Sequence, residues 1–158
     1  MKTLIIGFSR PTTFKLLSWL IQKIEKTEYS HVYAKFYSST INRQIIYQAS
    51  GLEVNFVGSE LFYKNHIAVK EFSISVSDEV YLETMRFAVD SAGMPYSIKQ
   101  LFGILFYMLT GKVPVGDGRR GYVCSELMGQ MLTQKLEKSV TKDLDLVLPK
   151  DIYNLLDK

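Results

Sequence analysis

Tyr29-Ser30-His31-Val32-Tyr33-Ala34-Lys35-Phe36-Tyr37 is the stretch where the period of the chain changes. Before it, Phe14, Leu17, Ile21 and Ile24 recur at helical spacing; within it, apolar and amphipathic residues alternate. Val32, Ala34 and Phe36 fall on one face, and Tyr29, His31, Tyr33, Lys35 and Tyr37 on the other. The pattern predicts a strand over residues 30–37 with one apolar face and one aromatic, partly polar face. The histidine belongs to the second.

Working outward, residues 1–8 read as an opening strand. Their apolar core is too short for a signal peptide and no cleavage region follows, so a soluble, cytoplasmic chain is expected, with a viral or virion-associated origin also compatible. Thr12 or Thr13 is placed to cap a helix reaching about Lys26, with Lys15, Gln22, Lys23, Glu25 and Lys26 on its wet face. Further strands are expected over 43–49, 52–57 and 67–74, and their short links favour an antiparallel meander. Ser77 with Asp78 and Glu79 offers a helix start, and that helix runs to about Ala92 before Gly93-Met94-Pro95-Tyr96 breaks it. A very apolar helix over 97–110, a glycine-rich loop over 115–121, a helix over 123–137 and a short helix after Leu148-Pro149 complete the reading. The expectation is an α+β fold, a small antiparallel sheet with helices packed against it, in one domain spanning 1–158.

The bulk numbers exclude several classes. At 158 residues, 47% hydrophobic and 22% charged, the chain has the composition of an ordinary globular protein. The net charge is only +3 and Arg119-Arg120 are the one adjacent basic pair, so no nucleic-acid footprint is expected. The longest apolar run, 101–109, is about half of the ~20 residues that span a bilayer. A single cysteine excludes an internal disulfide, no Cys/His spacing matches a zinc site, and no cofactor is expected.

That cysteine lies in Gly121-Tyr122-Val123-Cys124-Ser125-Glu126-Leu127, which reads as the entry to a helix. A free thiol has a pKa of about 8.5; the unpaired N–H groups of a first turn favour its anion modestly, and a neighbouring imidazolium favours it far more. Cys124 with His31 is therefore the minimum kit for thiol-dependent acyl transfer. On the next expected strand Gln48 falls opposite His31, or diagonal to it if the pairing shifts by two, and its amide oxygen is placed to hold the imidazole N–H.

The ordered set of a histidine strand, a polar residue on the next strand, Gly93-Met94-Pro95-Tyr96, Tyr122-Val123-Cys124-Ser125-Glu126-Leu127 and Leu148-Pro149-Lys150-Asp151 resembles the circularly permuted NlpC-type papain-like amidase family. The resemblance implies a permuted papain-like fold and a cysteine hydrolase cleaving an amide bond in a cell-wall peptide or an acyl conjugate. It implies Cys124 as nucleophile, His31 as base, Gln48 as the orienting residue and Tyr96 as a tyrosine that binds or polarises the substrate carbonyl. Gln48 departs from the acid that related permuted enzymes often carry there.

Other readings stand beside it. His66 is an alternative base, at an expected loop before a strand. Glu126 is either a second acid near the nucleophile or an ordinary first-turn acid. The 101–109 run is core, a wall for an acyl chain, or a peripheral contact with a membrane or protein assembly. Residues 116–120 resemble a flexible lid whose arginines hold an anionic group. A non-catalytic binding or structural module, and a lipid amidase or acyltransferase, are the rival functions.

Overall fold

The structure, a computed structural model, describes residues 1–112, 121–140 and 143–158. The alternating segments form an antiparallel sheet: β1 (Lys2–Pro11), β2 (His31–Ser38), β3 (Arg43–Ser50), β4 (Glu53–Gly58) and β5 (His66–Val76), in the spatial order β4-β3-β2-β1-β5. Of the expected four-strand meander, β2-β3-β4 pair in order, while β5 does not follow β4 and pairs with β1 instead. The opening strand lies inside the sheet between β2 and β5, which returns to the far edge. Helices α1 (Leu16–Glu25), α2 (Ser59–Asn65), α3 (Asp78–Ser91), α4 (Ile98–Thr110), α5 (Cys124–Leu136) and α6 (Pro149–Leu156) complete an α+β architecture, with a 3-10 turn at Leu144–Leu146.

The two faces of β2 are dressed differently. Val32, Ala34 and Phe36 are fully buried in the main core, where Leu127, Met128, Met131 and Leu132 of α5 pack with them. On the opposite face Tyr33 packs with Ile46 and with Phe62 of α2. Gly7 permits this: a Cβ there would lie 2.2 Å from the Tyr33 ring, which crosses β1 at that point. Beyond it Lys35 Nζ donates to both oxygens of Glu71 at 2.9 and 2.8 Å, and the Tyr33 and Tyr63 hydroxyls donate to Glu71 Oε1.

Some helix signals act as read: the Ser77 side chain accepts from the Val80 N–H, and Pro149 lies in the first turn of α6. Ser97, read as the first helical residue, caps α4 by accepting from the Gln100 N–H, and the Leu148 N–H donates to Asp151 at 3.0 Å. Others differ. Thr12 does not cap α1; its N–H and hydroxyl both donate to the Asn65 carbonyl, which extends β1 to Pro11 and delays the helix to Leu16. Phe14 is consequently outside the helix and exposed, and Glu25, assigned to the wet face, is buried. Helix α2 was not expected: at seven residues with Phe62 as its one buried side chain, it is too short for a helical period to register. It places His66 at the first position of β5 instead of in a loop. The lid and its arginines at 116–120 lie outside the described residues.

Candidate functional site

Cys124 is the first residue of α5, preceded by the extended Val123, whose side chain makes no cap hydrogen bond. The helix entry is fixed by a backbone clamp: Tyr122 N–H donates to Pro95 O at 2.9 Å and Ser97 N–H to Tyr122 O at 3.0 Å. Gly121 makes that approach possible, since a Cβ there would lie 2.3 Å from the Pro95 carbonyl oxygen. The same segment is tied to the β3–β4 turn, where Tyr96 N–H donates to Leu52 O at 2.8 Å. Pro95 and Tyr96 are thereby locked beside the cysteine.

The thiol lies against the start of β2. β2 and β3 pair from Ser38↔Arg43 to Ala34↔Tyr47 and then part. The Val32 N–H lies just past the last pair, and it points at the Cys124 sulfur, as do the N–H groups of Ser125 and of Cys124 itself. Each of these donors favours the thiolate. Burial outweighs them and, with the Glu25 charge, pushes the thiol up to about 11. The expectation of a resting thiolate is therefore corrected: at neutral pH Cys124 is a neutral, buried thiol, because the helix entry that supplies the donors also excludes water.

His31 opens β2 opposite Ser9 of β1. Continuing the strand register puts Gln48 opposite Tyr33, two residues along from His31 and so diagonal to it, and Gln48 Oε1 lies 2.8 Å from His31 Nε2. A carbonyl oxygen can only accept, so Nε2 carries the proton and Nδ1 keeps a lone pair. The Gln48 amide is oriented in turn by Asn55 of β4, whose Oδ1 accepts from Gln48 Nε2 at 3.5 Å. Burial, with the His66 ring 5.7 Å away between centres, brings the imidazole down to about 4. His66 stacks on Phe62 at 4.4 Å and is also held below the ordinary imidazole range by burial. Both rings are neutral at pH 7. His66 stands behind His31, on the face of the sheet that α2 covers.

Tyr96 is beside Cys124: its hydroxyl is pushed upward by burial and then by the cysteine's charge. Both residues line a narrow cavity of about 20 Å³ with Ile21, Ser30, Leu101, Ile104, Leu105, Met108 and Leu148. The 101–109 run thus divides. Leu101, Ile104 and Leu105 face inward on the cavity and are buried, while Phe102, Phe106 and Leu109 face out. Glu126 is buried and accepts from Gln100 Nε2 at 2.8 Å, which ties α4 to α5. Two residues escaped the sequence reading. Asn55 supports Gln48, a pairing legible only once the β3–β4 register is known. Glu25 bears on Cys124 from the last turn of α1, where charge alone suggested a solvated position.

Among the described residues no group of three or more His, Cys, Asp or Glu side chains could hold a metal ion. No family model matches the chain, and none of the curated proteins matches it. Its fold is similar to that of a solved metalloprotein, yiiX from Escherichia coli O157:H7, described by DUF1105, with a TM-score of 0.52, 16% identity, 96% of this chain and 90% of that one covered. These findings correct the resemblance to permuted NlpC-type amidases, since no such family matches and the fold likeness points elsewhere. The short motifs that carried it have local structural reasons. Pro95 sits in the break after α3, Pro149 opens α6 with Asp151 as its cap, and Gly121 allows the close approach to Pro95. No helix among the described residues is long and apolar enough to cross a membrane.

Proposed function

We propose that this protein is a cysteine hydrolase acting on an acyl amide or ester whose acyl portion is apolar. The observation that carries the reading is the placement of the Cys124 sulfur. It lies at the Val32 N–H, the amide that follows His31, with the donors of the α5 entry converging on it. The same N–H groups that would hold a thiolate suit the oxyanion of a carbonyl under attack.

Because thiol and imidazole are both neutral at rest, proton transfer accompanies attack. His31 Nδ1 takes the thiol proton while sulfur bonds to the carbonyl carbon, and the developing oxyanion is held by backbone N–H groups and the Tyr96 hydroxyl. The imidazolium then protonates the leaving nitrogen or oxygen as its bond to carbon breaks, leaving a thioester. Water attacks the thioester with His31 as base, and the C–S bond breaks to restore the thiol. Gln48, oriented by Asn55, keeps Nδ1 directed at the reaction. The lining beside Cys124 is apolar, which suits an acyl chain better than a polar peptide, and at about 20 Å³ the cavity must open to admit one. The fold neighbour is a metalloprotein, whereas among the described residues of this chain no group of three or more His, Cys, Asp or Glu side chains could hold a metal ion.

Hydrolysis of p-nitrophenyl esters and amides of graded acyl length tests the reading. Cys124→Ala is expected to abolish turnover, and His31→Ala to reduce it by about 10²–10⁴-fold with the circular dichroism spectrum unchanged. Full activity in either variant would refute the mechanism.

A further inference from the structure

We infer that the outer faces of α1 and α4 form a docking surface for an anionic lipid bilayer, beside the Cys124 cavity. The two helices meet through Ile21, Leu101, Ile104 and Leu105, side chains that line the cavity. Their opposite faces are apolar where an ordinary surface helix is polar. On α4, Ile98, Phe102, Phe106 and Leu109 recur at i, i+4, i+8 and i+11 and are exposed, Phe102 at 58% and Leu109 at 69%. On α1, Leu16 and Trp19 are exposed at 67% and 45%. Large apolar side chains grouped on the outer faces of two helices in this way mark an interaction surface.

Charge selects the occupant. Neither residues 10–24 nor residues 97–112 contain an acidic residue, whereas Arg10, Lys15, Lys23, Lys99 and Lys112 are all exposed there. A second copy of this face would meet it with like charge. An anionic headgroup layer complements the lysines while the aromatic side chains enter the acyl boundary, the arrangement of an interfacial helix. Trp19, an amphipathic ring suited to that depth, is the single tryptophan of the chain. Docking by this face would lay α1 and α4, whose inner sides wall the Cys124 cavity, on the layer that holds acyl chains. Any bearing on substrate rests on the hydrolase reading; the docking itself does not.

Trp19 fluorescence of the full chain, with co-sedimentation, is the test. Vesicles of phosphatidylcholine with phosphatidylglycerol are expected to shift Trp19 emission to the blue and to pellet the protein, and pure phosphatidylcholine to do so at least about tenfold more weakly. Phe102→Glu with Phe106→Glu, checked for native circular dichroism, should lower vesicle affinity by about tenfold or more. Cys124→Ser should bind as the wild type does while losing hydrolysis, so loss of the chemistry and loss of docking read out separately. The proposal is overturned if anionic vesicles neither shift Trp19 nor pellet the protein, or if the double variant binds them undiminished. It is equally overturned if that variant converts a sedimenting dimer to a monomer, which would assign the face to a second copy.

Discussion

The two faces of β2 solve different problems with the same backbone. Toward α5, Val32, Ala34 and Phe36 are fully buried and present no side-chain group that needs a partner. Toward α2, Tyr33, Lys35 and His31 are polar, and each is satisfied: Tyr33 and Lys35 by Glu71, His31 by Gln48. A thiol on the first face and an imidazole on the second would ordinarily be kept apart by the sheet. Past Ala34↔Tyr47 the pairing of β2 with β3 ends, and there the Val32 N–H, the amide next after His31, lies at the Cys124 sulfur.

Substitutions on the two faces should therefore separate activity from stability. Cys124→Ser is expected to lower turnover by about 10³-fold or more with an unfolding midpoint close to wild type, read by steady-state kinetics and urea denaturation. Lys35→Met should do the reverse. It leaves the Glu71 carboxylate without its cation, held only by the Tyr33 and Tyr63 hydroxyls, and should cost about 2–3 kcal/mol in urea, somewhat below a fully buried pair because Glu71 is partly open. Its kcat should be retained. An equal loss of both properties in either variant would break the separation.

Acid should act through His31. Its folded pKa of about 4 lies below the ordinary 6.5, so the unfolded chain binds the proton more readily. The stability this contributes is present above pH 6.5 and falls away as the pH drops toward 4, by about 2–3 kcal/mol, with His66 acting in the same direction. His31→Asn should flatten the urea midpoint between those two values. At the other end Cys124, raised to about 11 from 9.0, contributes stability below pH 9 that is lost as the pH rises through 11.

The smallest effect sharpens the comparison most. Gln48→Ala removes the acceptor of a buried N–H and should cost about 1 kcal/mol of stability and about tenfold in kcat. Gln48→Glu should instead raise the His31 pKa, followed by NMR titration of the imidazole, because a carboxylate stabilises the imidazolium where an amide only orients it.

Much of this was legible in the sequence because it is local. The alternation over 30–37, the cap at Ser77 and the proline at the start of α6 each depend on neighbouring residues alone, and each sits where its pattern puts it. Hairpin arithmetic left Gln48 either opposite or diagonal to His31, and the register makes it diagonal. What escaped was set by distant contacts. Thr12 prefers the Asn65 carbonyl to a cap, and Glu25 is buried by elements far along the chain. The thiol's pKa is the clearest case. The donors at a helix entry are visible in a motif, but the desolvation that overrides them depends on α1 and α4 closing over the site. Short motifs misled for the same reason, since proline and glycine at element boundaries recur wherever chains turn.

The central claim is that Cys124 attacks the carbonyl with His31 as its base. It is tested most directly by trapping the covalent intermediate with a long-chain p-nitrophenyl ester, followed by intact-mass and peptide mass spectrometry. The account predicts a burst of one nitrophenolate per chain and one acyl group on Cys124, absent in Cys124→Ser and greatly slowed in His31→Asn. A wild-type protein that releases no burst and carries no acyl group on Cys124 would contradict it.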